Sequence, residues 1–298
     1  MMNQIPTKNN RLFRILPILL AVLFFVLACA YYFTNIPATV TFVDVGQGDA
    51  CLIQIGKNGN VLIDGGDEGS GATLQSFLAS QNVRKLHAVF ITHCHTDHMT
   101  GIIELIQSGF PVEMLYLPQH TSDSEDEREL IALIHEKQLP FRRLQDGEVL
   151  TIGNAIYHVL WPKQKATYMK ANNQSLVLRM DYGENRILFT GDIEASAQIE
   201  LCMEQPDEIQ ANILKVPHHG GETAVLTPFI EACNPQISVI GVGMNNLHGH
   251  PSPEMLDALN QVQSMVYRTD FHGNVKLTLD KRGIKRIDYS DDKWRMLR

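Results

Sequence analysis

"FITHCHTDHMTG", residues 90–101, places His93, His95, Asp97 and His98 within six positions. The residues leading into it, "LHAVFITH", read as a buried strand. Those that follow, "TGIIELIQS", read as a helix stopped by Gly109 and Pro111. His93 and His95 are two apart, so an extended segment projects them to one side, with Cys94 turned the other way. Asp97 and His98 continue into the next turn. Four imidazole and carboxylate donors exceed the three that a catalytic tetrahedral ion takes beside its water, and suit two adjacent ions.

Working outward, strands and helices alternate. "TVTFVDV", "ACLIQIG" and "NVLIDGG" read as strands, "SGATLQSFLASQNV" as a helix, "VEMLYLP" as a strand, and "SDSEDERELIALIHEKQ" as an amphipathic helix with an acidic start. The second half has the same style without a sequence repeat: strands "AIYHVLWP", "SLVLRMDYG", "NRILFTGD", "ANILKV" and "ISVIGVG", helices "EASAQIELCME", "TPFIEACN" and "SPEMLDALNQV", and closing strands in "VYRTDFHGNVKLTL". This order predicts an α/β (α+β) domain, an αββα sandwich of two mixed sheets with helices outside.

The N-terminal end has a different character. Residues 15–33, "ILPILLAVLFFVLACAYYF", carry no charge and as a helix reach about 28 Å, close to the thickness of a bilayer's hydrocarbon core. Lys8, Arg11 and Arg14 precede them, and the first acidic residue is Asp44. By the positive-inside rule, residues 1–14 stay in the cytoplasm, 15–33 form a single membrane span or a signal segment, 34–38 link, and the rest lies outside. Cleavage of the segment would release a secreted protein instead. The main domain is expected over 39–285, with a tail at 286–298. Five cysteines form no CxxC pair and no disulfide framework. A formal net charge of -8 argues against a strongly basic nucleic-acid surface, although a metal site can supply positive charge locally.

Other strand ends carry further candidates. Asp192, in "LFTGD", ends a buried strand where an unpaired carboxylate is costly. It suits a dication, or a helix N-cap for "IEASAQIE". His218 and His219 in "PHHGG", and His248 and His250 in "NLHGHPS", each follow a strand and could reach the same place. Asp64 in "LIDGG" and Asp49 in "GQGD" suit carboxylates that orient ligating histidines from behind, and Asp49 equally suits a turn. Glycines 46 and 48 lack the spacing of a dinucleotide loop. His87, His120, His135, His158, His272 and Trp161 read as structural.

"HCHTDH" resembles the metal motif of the metallo-β-lactamase superfamily. With "VTFVDVGQGDACLIQ", "VLIDGG", "NNQSLVLRM", "ILFTGDIE", "LKVPHHGG" and "GHPSPEMLDAL", residues 39 to about 280 resemble the metallo-β-lactamase-like domain of the ComEC family of DNA-uptake competence proteins. ComEC proteins carry many membrane spans, and this chain has one candidate. The resemblance implies one ion at His93 and His95, a second at Asp97 and His98, and Asp192 bridging them. The superfamily usually has a third histidine before the "SLVLRM" strand. Here Asn172, Asn173 or Ser175 would substitute, a harder donor set that points to Mn²⁺ as well as Zn²⁺. His219 and His250 fit the family motifs best, one as ligand to the second ion and the other as substrate contact or proton donor. Gly221 stands where many relatives have serine.

The resemblance implies hydrolysis of a phosphodiester, with DNA as substrate, by a hydroxide bridging two divalent ions. Asp97, His219 and His250 are the expected catalytic residues. Lys163, Lys165 and Lys170 form either a short cationic track or a solvated loop. Hydrolysis of an envelope phosphodiester, and a membrane-tethered module that binds DNA or a partner without catalysis, are the alternatives.

Overall fold

The computed structural model of the chain describes residues 15–26, 37–56, 58–119, 124–163 and 170–290. Two compact units are separated at Ile36 and Pro37. In the first, helix α1 covers residues 15–26. No helix among the described residues is long and apolar enough to cross a membrane. Residues 27–33 of the expected span lie outside them.

The second unit opens with β1 (Ala38–Phe42), β2 (Ala50–Ile55), β3 (Asn60–Gly65), α2 (Ser70–Ser80), β4 (Ala88–Phe90), α3 (Thr96–Gln107), β5 (Leu115–Pro118), α4 (Glu125–Glu136) and β6 (Phe141–Leu144). It continues with β7 (Val149–Ile152), β8 (Ala155–Trp161), β9 (Val177–Tyr182), β10 (Asn185–Phe189), α5 (Ala195–Glu204), β11 (Ile213–Lys215), α6 (Thr227–Cys233) and β12 (Ile237–Ile240). It closes with α7 (Pro253–Gln261), β13 (Met265–Arg268), α8 (Thr269–His272), β14 (Val275–Asp280) and β15 (Gly283–Asp288).

One sheet has the order β15-β14-β1-β2-β3-β4-β5-β6 and the other β13-β12-β11-β10-β9-β8-β7. In each, an antiparallel half passes into a parallel one: β3 to β6 are mutually parallel in the first, β10 to β13 in the second. The halves thus share a plan that left no repeat in the sequence. Pairing geometry constrains only the alternation of apolar side chains, not their identity.

Alternation builds the layers. Ile63 and Phe90 point between the sheets, where Phe90 stacks on Tyr116 and Tyr157 with centroids 4.8 and 5.5 Å apart. Their neighbours Leu62 and Val89 point outward onto α2, α3 and α4. On the second sheet Leu178 and Phe189 face inward, while Val177 and Leu188 pack under α5, α6 and α7. Both faces of both sheets are buried, which is the expected αββα sandwich.

Several expectations need correction. β6 and β7, four residues each, have no strand signal in the sequence; charged "FRRL" and the half-exposed "VLTI" carry little apolar periodicity. β4 ends at Phe90, so the histidines ride the loop beyond it. α3 begins at Thr96, placing Asp97 and His98 inside its first turn, because His95 O accepts from the amides of His98 and Met99. β15 pairs through Asp288, carrying the sheet past residue 285.

Candidate metal centre

The parallel halves bring their C-terminal strand ends together, the usual location of sites in such sheets. β3 delivers Asp64, the loop after β4 delivers His93 and His95, and α3 adds Asp97 and His98. β10 is followed by Asp192 and β11 by His218 and His219. Gly101 lets α3 approach: a Cβ there would lie 2.0 Å from Gly65 O. Any side chain would push the start of α3 away from Asp64.

Imidazoles surround Asp192. His98 Nε2 is 3.2 Å from Asp192 Oδ1, and His219 Nε2 and His93 Nε2 are 3.5 and 3.9 Å from Oδ2. His93 Nε2 and His95 Nδ1 meet at 3.0 Å, so the two rings do face the same side. Asp97 is 3.1 Å from His219 Nε2 and 3.9 Å from His98 Nε2.

The opposite ring nitrogens fix the tautomers. Asp64 accepts from Thr92 N, Thr92 Oγ1 and His98 Nδ1 at 2.7, 2.7 and 2.9 Å. Three donors mark it as a carboxylate. His219 Nδ1 lies 2.8 Å from Gly241 O, which can only accept. The Thr92 hydroxyl, whose proton goes to Asp64, takes a hydrogen bond from His93 Nδ1 at 3.2 Å. In the neutral rings the N–H groups therefore turn outward, and each Nε2 lone pair points inward, open to a metal that displaces a proton. His98 Nε2 and Asp192 Oδ1 are buried and have no hydrogen-bond partner. Buried acceptors facing one another fit divalent cations.

The electrostatics agree. Burial alone would discharge His98, but Asp192, Asp97 and Asp64 hold its pKa well above the ordinary value. Burial likewise opposes charge on His219, yet Asp192 and Asp49 raise its pKa to about 10. Asp192 is held well below the usual carboxylate range by His98 and His219, against its burial. Asp97 is lowered in the same way. The carboxylates draw positive charge to this spot, as protons or as metal ions.

Asp49, His98, Asp192 and His219 each offer a donor atom within 4.8 Å of the others. Asp49 nevertheless stands apart from the lone pairs. It approaches the Nδ1 sides of His219 and His98, at 3.5 and 4.0 Å, and those are already committed. Its own partner is Lys215, whose Nζ lies 2.6 Å from Asp49 Oδ2. Asp49 and Asp64 thus both lie behind the imidazoles. Lys215 went unread in the sequence, although a lone lysine ending the apolar strand β11 calls for a buried counterion.

The remaining candidates separate. Asn173 Oδ1 accepts from Glu194 N, and Ser175 Oγ donates to Asn172 O and accepts from Asp192 N. Both brace the loop. Only Asn172 faces the open cleft, with its buried Oδ1 unpartnered. Asp192 caps no helix: α5 starts after Glu194. His250 stacks nearly parallel to His219, centroids 6.3 Å apart, and the exposed His248 is 5.5 Å beyond it on the rim. Burial and the neighbouring His219 and His218 lower the His250 pKa to about 4. Cys94 is buried among the helices with its thiol pushed up to about 12 by burial, away from the site. His87, His135, His158 and His272 serve local contacts, and Trp161 is core; His120 lies outside the described residues. Lys163 is paired with Glu200 and Glu204, and Lys170 with Glu194, so neither is an open cationic track. Lys165 lies outside the described residues.

The sequence profile of the metallo-beta-lactamase superfamily matches residues 43–243. The chain belongs to that superfamily. Family and donor set together mark a hydrolase of the superfamily. Among curated proteins it is similar to ComE operon protein 3 of Bacillus subtilis (strain 168), 31% identical over 261 residues, covering 82% of this chain and 33% of that protein. It is also similar to competence protein ComA of Neisseria gonorrhoeae, 24% identical, covering 83% and 33%. The chain thus spans about a third of these relatives' length, and the ComEC resemblance is borne out. In structure it is similar to the metallo-beta-lactamase fold protein YhfI from Bacillus subtilis, with TM-score 0.57, 15% identity and coverage of 82% of this chain and 99% of that one. That likeness speaks for the fold.

Proposed function

We propose that the chain is a metal-dependent phosphodiesterase acting outside the cytoplasm, with DNA as the substrate to test first. The observation that carries this reading is the convergence of imidazole Nε2 atoms on Asp192. His93 and His95 on one side, and Asp97, His98 and His219 on the other, would hold two divalent ions, Zn²⁺ or Mn²⁺, with Asp192 between. Such a pair supplies Lewis acidity toward a phosphoryl oxygen and acidifies water to a nucleophile near neutral pH.

The chain's own groups then have defined tasks. Asp64, Thr92 and the Gly241 carbonyl hold the imidazoles in the ligating tautomer. His250, neutral above a pH of about 4, suits a hydrogen bond to a substrate oxygen better than proton donation from an imidazolium. Residues 15–33 support a membrane anchor with the domain beyond the cytoplasm.

DNA as substrate rests on likeness to competence proteins. The engaged state of Lys163 and Lys170 and the net charge of -8 favour a second reading, a smaller phosphodiester of the cell envelope. The test uses the full chain in detergent, loaded with Mn²⁺ or Zn²⁺, on single-stranded DNA and on bis-p-nitrophenyl phosphate. DNA cleavage that disappears in Asp97→Ala supports the nuclease. Turnover of the small ester alone moves the reading to an envelope phosphodiesterase. No turnover by metal-loaded protein leaves a binding module.

A further inference from the structure

His218 occupies an unusual place. It and His219 both have left-handed backbones, φ 49° and 52°, a conformation that a non-glycine residue keeps only where its surroundings hold it. The pair is held there by hydrogen bonds from His218 N to Gly191 O at 3.2 Å and from Gly221 N to His218 O at 2.8 Å. The consequence is that neighbouring residues both turn Nε2 toward Asp192 Oδ2, His219 from 3.5 Å and His218 from 3.9 Å. The latter distance matches that of His93.

We propose that His218 supplies the third imidazole of the first ion, completing the set begun by His93 and His95. This rests on the dinuclear reading above. Like His93, His98 and His219, His218 has Nδ1 beside an oxygen, Thr223 Oγ1 at 3.1 Å, and Nε2 directed inward. Asn172 Nδ2 lies 3.4 Å from that Nε2, a long contact that a bound ion would replace. Elimination points the same way. Asn173 and Ser175 spend their oxygens on backbone contacts. Asn172 has its amide nitrogen at 3.4 Å from both His218 Nε2 and Glu194 Oε1, and its Oδ1 is a weaker donor than an imidazole for Zn²⁺. The histidine missing near residue 172, before the antiparallel β9, is thus replaced from the loop after β11, in the second sheet's parallel half. Asn172 orients it.

The test is metal stoichiometry by elemental analysis after equilibrium dialysis of the full chain, with Co²⁺ absorption reporting nitrogen ligands. The variant is His218→Gly, because glycine tolerates the left-handed backbone and leaves space for added imidazole. Wild type should hold two ions, His218→Gly one, and His218→Gly with imidazole two again. Asn172→Ala should keep both. Two ions of unchanged affinity in His218→Gly would overturn the assignment and leave the dinuclear centre standing, as would loss of an ion in Asn172→Ala alone. At most one ion in wild type would overturn the dinuclear reading and this assignment with it.

Discussion

His98 bridges two carboxylates: its Nδ1 donates to Asp64 Oδ2 at 2.9 Å, and its Nε2 faces Asp192 Oδ1 at 3.2 Å. In the neutral ring, one proton on the Asp64 side leaves the lone pair on the Asp192 side for a metal. Asp64→Asn weakens the acceptor that fixes this tautomer. We expect metal affinity to fall about 10–100-fold with the fold intact, measured by calorimetric titration of Mn²⁺ or Zn²⁺. Unchanged affinity would show that Asp64 does not set the ligand's orientation.

The His219 pKa, raised to about 10, has a definite sign in linkage. A group whose folded pKa lies above its unfolded one stabilises fully below the unfolded value, about 6.5, and that stabilisation fades as pH approaches 10. His98 shifts in the same direction. Chelator-treated protein should therefore lose thermal stability between pH 6.5 and 10. Metal binding displaces these protons and should tighten across the same interval. A metal-free chain that grows more stable through this window would show His219 neutral when folded.

Lys215 is 6% exposed and pairs with Asp49. Lys215→Met leaves a carboxylate buried without its cation, and we expect a loss of about 3–5 kcal/mol in denaturant unfolding. Lys215→Met/Asp49→Leu should recover most of it, since the uncompensated charge goes with the mutation. A double variant as unstable as the single would locate the cost in packing.

Gly221 is a subtler position. A Cβ there would lie 2.7 Å from His250 Nε2, at the free end of a side chain that can move. Gly221→Ala should therefore fold and bind metal normally, yet displace His250 and lower turnover by about a hundredfold if His250 engages substrate. Full activity in Gly221→Ala would remove His250 from the substrate's surroundings.

What the chain announces by itself is local. Strand-helix alternation, the His93–His98 cluster after a buried strand, and a carboxylate at Asp192 follow from periodicity and from the cost of burying polar groups, both readable over a few residues. Fold class and most of the donor set were legible for that reason. The weakly patterned β6 and β7 were not, because their place comes from neighbours rather than from their own residues. Only the tertiary structure decided among His218, His219, His248 and His250, placed Asp49 behind the rings with Lys215, and paired Lys163 and Lys170 with glutamates. Each depends on contacts between loops far apart in the chain. Which nitrogen of a histidine is free depends on what meets the other, and that partner comes from another strand end.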